Sequence, residues 1–228
     1  MSYSWNFDPL WQFGQLWGRG LLSTVYLTLL SITLGTCLGL PLVAALKSRS
    51  RLFRTLARGY IDLFRAIPAL VLLGTLYFCL PVLVQLRLSP FQVAVIGLSL
   101  NLAPFVAEAV RGAVDSVPTI QYESAFVLGF HGRRRDYYII GPQVIERLLP
   151  PLVGQYVTTL KLTSLAAAIG VGELWNVTSQ ITTLTSLPME TKLVGAALYV
   201  AIILPILALS LGLERRFGVK GLGEWRER

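Results

Sequence analysis

The sequence predicts an all-α polytopic membrane protein with five transmembrane helices. Three observations lead there. The 228 residues are 54% hydrophobic and 14% charged, against roughly 25% charged in soluble domains, so there is too little charge to clothe a surface in water. Runs free of Asp, Glu, Lys and Arg recur at lengths that cross a bilayer, for which a helix needs about 20 apolar residues. The net charge of +8 is gathered in clusters between those runs, which fits loops on one side of a membrane and calls for no nucleic-acid partner.

Residues 1–19 hold Trp5, Phe7, Trp11, Phe13 and Trp17 with only Asp8 and Arg19 charged, which predicts an aromatic segment lying in the outer interface. A cleaved signal peptide is not expected, because the first apolar run begins at Leu21 and is long enough to stay as an anchor. That run, Leu21 to Leu46, has 26 residues; Ala66 to Leu86 has 21, Leu88 to Ala107 has 20 and Leu193 to Leu213 has 21. A fifth stretch, Leu148 to Gly172, is split by Lys161. It counts as a span, since leaving it out would put the basic clusters that flank it on opposite faces.

Orientation follows from Lys and Arg. Lys47, Arg49, Arg51, Arg54 and Arg58, then Arg111, Arg133, Arg134, Arg135 and Arg147, then Arg215, Arg216, Lys220, Arg226 and Arg228 share one face, while the other keeps Arg19, Arg87 and Lys192. The positive-inside rule then puts the C-terminus in the cytoplasm and the N-terminus outside. One transmembrane unit, residues 1–220, is followed by a cytoplasmic tail, 221–228.

The longest hydrophilic stretch, Arg111 to Arg147, predicts a short helix in the region 118–132. Pro118 suits a first helical turn, Tyr122 to Phe130 carries apolar residues at helical spacing, and Gly129 with Gly132 closes the helix. Ala125, Phe126 and Val127 gain nothing from being left in water, so this helix, lying parallel to the membrane, reads as a docking surface.

Within that stretch Glu123-Ser124-Ala125, followed by Gly129, Ile139 and Gly141-Pro142, resembles the Glu-Ala-Ala signature of the membrane-spanning permease subunits of ATP-binding-cassette importers, in particular the polar amino acid uptake family. Ser124 stands for the signature's second residue, Ala, and Gly141 for its Leu. Further blocks resemble the family in order from about Gly20 to Arg216: Tyr60 to Pro68, Leu98-Ser99-Leu100-Asn101, Ala107-Glu108 with Arg111-Gly112, Ser116-Val117-Pro118, and Lys161 with Thr163-Ser164-Leu165. Ala66-Ile67 replaces the family's Gly-Thr, and Leu162 an Asp. The resemblance implies the type I importer permease fold in a bacterial cytoplasmic (inner) membrane, with Glu123, Ser124, Ala125 and Gly129 coupled to a cytoplasmic ATP-binding subunit dimer. It also implies a second identical or homologous permease chain, an extracytoplasmic solute-binding protein, and a polar amino acid or close derivative as cargo. ATP and Mg belong on the partner ATPase, with no cofactor in this chain.

A cation at the bilayer centre costs about 2.5 to 3.5 kcal/mol, so it needs a partner or a water-filled cavity. Lys161 has Thr158, Thr159, Thr163 and Ser164 close in sequence. Either it faces a polar cavity, or it pairs with a carboxylate of its own chain. Asn101, in the third span, meets either a neighbouring helix or a substrate. With the family's translocation path in mind, Asn101, Lys161, Thr163 and Ser164 are the expected substrate path. Asp62 with Arg65, and Glu108 with Arg111, are spaced i and i+3 and read as neutralising pairs or as parts of a gate. Glu173, after Gly170-Val171-Gly172, either shapes the outer mouth or belongs to a helix-ending turn.

Nothing points to an enzyme. His131 adjoins three arginines with no nucleophile or carboxylate motif related to it. Cys37 and Cys79 sit in apolar runs without metal-ligand spacing and read as packing residues. No G-x-x-x-x-G-K-[ST] occurs, and Gly218 to Gly223 is too short to serve as one. A stand-alone secondary carrier or channel is the other reading, but it needs no docking helix, and no internal repeat is found.

Overall fold

The first apolar run does not begin a helix at Leu21. In the computed structural model, which describes residues 4–216, helix α1 runs over Gly14–Leu46 after a 3-10 turn at Asp8–Phe13. The aromatic residues ahead of Leu21 have a partner: Leu10 and Trp17 are buried in a cluster with Leu174, Val177 and Ile181. The segment expected to lie in the outer interface is partly built into the bundle, although Trp11 stays 81% exposed.

Helix α2 (Arg51–Ala66) and helix α3 (Ala69–Val84) meet at a bend of 103°. Pro68 is the cause, because its ring disfavours helical backbone at the residue before it, and Ile67 is extended. α3 has 16 residues, about 24 Å of helix, so the span expected over Ala66 to Leu86 is shortened and continues past the bend into α2. α4 (Pro90–Asp115) opens with a capping box between Ser89 and Gln92 and runs beyond the expected end at Ala107.

α1 and α4 form the spine. Small residues let the two backbones approach closely, as is usual for helix pairs in membranes. A Cβ added to Gly39 would lie 2.7 Å from Val106 Cβ and 2.8 Å from the Ala103 carbonyl oxygen, and one added to Gly35 would lie 2.9 Å from Leu102 Cδ2. One helical repeat earlier, the Ser99 hydroxyl, which donates to the Val95 carbonyl of its own helix at 2.6 Å, lies 3.3 Å from the Ser31 carbonyl.

α5 (Thr119–Val127) and α6 (Gly132–Arg135) occupy the hydrophilic stretch, and a π-helical turn at Asp136–Ile140 joins α6 to α7 (Gly141–Leu162). That turn explains Gly141 where the signature has Leu, since a Cβ there would lie 2.7 Å from the Asp136 carbonyl oxygen. α7 passes into a 3-10 stretch, Thr163–Ile169, that ends at Gly170. After a bend of 51° come α8 (Leu174–Thr185), which the hydropathy pattern did not separate, and α9 (Pro188–Arg216).

Three helical stretches, Asp8–Leu46, Pro90–Asp115 and Pro188–Ala208, are long and apolar enough to span alone, and five spans result when each bent pair counts as one. Among the described residues there is no strand. Cys37 and Cys79 are exposed rather than packed inside. Lys220, Arg226, Arg228, the Gly218 to Gly223 stretch and the tail 221–228 lie outside the described residues.

Candidate functional site

The bend at Pro68 brings the end of α2 against α4, with α7 across a cleft from it. There Arg65, Asn101, Phe105, Gln155, Thr158 and Thr159 line a cleft of about 370 Å³, with Leu102, Leu162, Ile67 and Ala69 completing it. The Arg65 guanidinium sits over the Phe105 ring, 5.7 Å from its centroid, a cation–π arrangement, and forms no ion pair among the described residues. The neutralising pair expected between Arg65 and Asp62 is therefore not made. Arg65 reaches toward Phe105, whereas Asp62 lines a separate polar cleft of about 430 Å³ with Arg58, Glu108, Arg111 and Asp115. The second expected pair is made: Arg111 Nη2 lies 2.6 Å from Glu108 Oε2, and Arg111 Nη1 lies 3.1 Å from Asp115 Oδ2.

The four expected path residues part company. Asn101 lines the cleft. Lys161 is exposed on α7, one residue before the lining Leu162, with no ion pair among the described residues, so the expected alternative of a structural carboxylate partner has none there. Ser164 is half-buried and donates to the Lys161 carbonyl at 2.8 Å. Thr163 is fully buried and donates to the Leu160 carbonyl at 2.6 Å, which takes it out of the polar wall expected of it. The 3-10 stretch that starts at Thr163 turns more per residue than an α-helix, and that change of phase carries the hydroxyl inward. Phe105 and Gln155 were not foreseen, and Arg65 was expected in a pair or a gate with Asp62 rather than in this lining. The available signal was Gln155 itself, a polar residue inside an apolar run one turn before Thr158 and Thr159.

Glu173 is fully buried, and all its partners are internal. Its carboxylate accepts from the backbone N–H groups of Trp175 and Asn176, each at 2.8 Å, and from the Tyr199 hydroxyl at 2.6 Å. It is the N-cap of α8 and ties α8 to α9. Of the two readings of Glu173, the turn is the one the geometry carries.

The exposed loop holds the signature residues. Pro118 has no N–H to contribute to a helix and is extended, so it caps α5 rather than entering its first turn. The helix, Thr119–Val127, accordingly lies inside the expected region 118–132, starting one residue after Pro118 and ending before Gly129. Gly129 adopts φ +81°, and the bonds from Gly129 N–H to the Phe126 carbonyl (3.0 Å) and from Phe130 N–H to the Ala125 carbonyl (2.9 Å) close the helix end. Nothing lies within 4 Å of a Cβ built on Gly129, so within this chain the glycine is needed for its backbone conformation alone.

Ala125 faces inward at 1% exposure, while Phe126, Val127 and Leu128 are 66%, 85% and 71% exposed. Glu123 and Ser124 are exposed beside them. The position of α5 is held from α6 and α7: Gln143 Nε2 donates to Gln121 Oε1 at 3.2 Å, the Arg135 guanidinium lies over the Tyr122 ring at 5.2 Å, and Arg147 donates to the Ser116 carbonyl. His131 stands edge-to-face against Phe126. An apolar patch on a helix anchored this firmly is a surface for a partner.

Comparison with known proteins agrees with the geometry. The family described as binding-protein-dependent transport system inner membrane component matches residues 15–218. The L-cystine transport system permease protein TcyB of Bacillus subtilis (strain 168) is 33% identical over 162 residues, covering 71% of this chain and 69% of that protein. The glutamine transport system permease protein GlnP of Escherichia coli (strain K12) is 30% identical over 220 residues, covering 96% of this chain and all of that protein. A crystal structure of an amino acid ABC transporter with histidines superposes with a TM-score of 0.86 at 28% identity, covering 94% of this chain and 100% of that one.

Proposed function

The chain belongs to the family of binding-protein-dependent transport system inner membrane components, and from that premise we propose that it forms, with a second identical or homologous permease chain, the path of an importer for a polar amino acid or close derivative. It is a permease component of an amino acid ABC importer, a multi-pass inner membrane protein whose ATPase is a separate chain. A cytoplasmic dimer of ATP-binding subunits, carrying ATP and Mg, docks on Glu123, Ser124, Ala125 and Gly129. A solute-binding protein delivers the cargo at the opposite face. The basic clusters support the orientation that goes with this, N-terminus outside and C-terminus in the cytoplasm of a bacterium.

α5 is the observation that carries the reading. Its exposed Phe126, Val127 and Leu128, closed off by the left-handed Gly129, make a docking surface that a stand-alone carrier or channel would leave without an occupant. The cleft supports the path: it is lined from four helices, α2, α3, α4 and α7, it carries in Arg65 a cation without an ion pair among the described residues and neutral polar groups in Asn101 and Gln155, and its size suits one small solute. Lys161 and Ser164, exposed and half-buried on the same helical segment, extend that polar approach. The relatives named for glutamine and L-cystine support an amino acid as cargo.

Co-purification followed by ATP-driven uptake in proteoliposomes tests the proposal. The expected result is an ATPase that elutes with the permease and uptake of radiolabelled amino acids that needs ATP and the binding protein. Uptake confined to sugars or ions, or uptake that persists without the ATPase, would overturn it.

A further inference from the structure

Resting on the amino acid reading above, we infer that the Arg65 cleft selects its cargo by charge, accepting amino acids with neutral side chains and discriminating against those with cationic ones. The lining holds one full charge, the positive Arg65, and no Asp or Glu; its other polar groups are the amides of Asn101 and Gln155 and the hydroxyls of Thr158 and Thr159. The hydroxyls already donate to backbone carbonyls of their own helix, Thr158 to Gly154 and Thr159 to Gln155, both at 2.9 Å. Their lone pairs remain as acceptors.

This donor and acceptor set matches a zwitterion with an uncharged side chain. The α-carboxylate finds the guanidinium of Arg65, which lies over Phe105 without a carboxylate partner and offers a planar fork suited to it. The α-ammonium finds amide and hydroxyl oxygens. Phe105, Leu102 and Leu162 supply apolar walls. A lysine or arginine cargo would bring a second cation into the same 370 Å³, with no carboxylate to meet it and Arg65 repelling it. Of the acids nearest along the chain, Glu108 is held by Arg111 at 2.6 Å and feels the charge of Arg65 without forming an ion pair with it, and both Glu108 and Asp62 line the neighbouring cleft rather than this one. Lys161, exposed one residue before the lining Leu162, adds positive charge on this helix and no compensation. Surroundings of low dielectric enlarge the effect of an uncompensated charge.

The test is saturable binding of radiolabelled glutamine, serine and arginine to the purified permease–ATPase complex in nanodiscs, without the binding protein, so that its own selectivity does not enter. Glutamine and serine should bind, and arginine should bind roughly tenfold or more weakly. Gln155→Glu places a carboxylate in the lining and should shift the glutamine-to-arginine ratio by roughly tenfold toward arginine, and Thr158→Asp does the same from the adjacent turn should the first variant fail to assemble with the ATPase. Arginine binding as tightly as glutamine, saturable binding of neither neutral amino acid, or an unchanged ratio in the assembled variants would each overturn the inference. Failure of the broader reading looks different: no amino acid of any charge would then be taken up by the complete importer, whereas a preference for arginine with uptake intact defeats the charge selection alone.

Discussion

The turn before α8 and the turn after α5 both set the limit of a short helix, yet they are built in opposite ways. At Glu173 a buried carboxylate satisfies two backbone N–H groups and one tyrosine hydroxyl, so the region is complete within the chain. At Gly129 the closure uses backbone bonds alone, and the side chains next to it, Phe126, Val127 and Leu128, stay largely exposed, with only His131 standing against the edge of Phe126 among the described residues. Buried polar groups must be paired inside, because leaving them unpaired is costly, whereas exposed apolar groups on an anchored helix are satisfied only by something from outside. The first region therefore carries stability and the second, on the proposed reading, carries coupling, and substitutions in the two should separate along that line.

The largest loss of stability is expected from Glu173→Ala. It removes the cap of α8 and leaves the Tyr199 hydroxyl and two N–H groups without their acceptor, a cost of about 3 kcal/mol taken from the typical penalties for caps and orphaned donors. The apparent melting temperature of the solubilised complex should fall clearly, and Tyr199→Phe, which removes a single donor, should fall by less. An unchanged melting temperature for Glu173→Ala would erase the contrast.

Gly39→Val tests whether the α1–α4 spine belongs with the self-complete region. Its new side chain would start 2.7 Å from Val106 Cβ and 2.8 Å from a backbone oxygen, and overpacking of this kind costs about 1 to 3 kcal/mol. Yield and melting temperature should drop, while the ATPase still accompanies whatever protein folds.

Gly129→Val sharpens the comparison from the other side. A left-handed conformation costs an L-residue about 1 to 2 kcal/mol, and here that cost falls on the end of α5 rather than on the bundle. The transmembrane part should melt nearly as before, while the ATPase is lost on purification or its hydrolysis no longer responds to substrate. Normal substrate-stimulated hydrolysis in this variant would count heavily against α5 as the coupling element.

The smallest structural effect is expected from Lys161→Met, which keeps the length and removes the charge of an exposed side chain with no ion pair among the described residues. Melting should be unchanged within about 0.5 kcal/mol, and transport should weaken if Lys161 extends the polar approach to the cleft. A large loss of stability would instead reveal a carboxylate partner supplied by another chain.

How far the site was legible varied by residue. α5 was readable at both limits because Pro118 and Gly129 act on their own backbone, whatever surrounds them. α8 was not: Gly170-Val171-Gly172 looks like the end of a span, and the helix beyond it is rich in threonine, so its burial against Trp17 and Leu10 shows only when α1 is in place. Asn101 was placed in the path and lines the cleft, whereas Arg65 was assigned to Asp62 by spacing alone. Spacing of i and i+3 says that two side chains can meet, and it is silent on whether an aromatic ring from another helix offers Arg65 a better neighbour.

What the sequence by itself determined is the set of properties local to each residue or run: membrane character, the approximate stretches that cross, the helix closed by Gly129, and the signature on it. Hydrophobicity is additive along a run, and the backbone preferences of Pro and Gly hold in any surroundings. The tertiary structure alone decided which polar residues share a cleft and which are sealed in the core. The direction of a side chain depends on helical phase summed across every irregularity before it, and here a 103° bend at Pro68, a π-turn before Gly141 and a 3-10 stretch after Leu162 each reset that phase. Asn101, Gln155 and Arg65 therefore converge although they are far apart in the chain, and Thr163, two residues from Lys161, turns away.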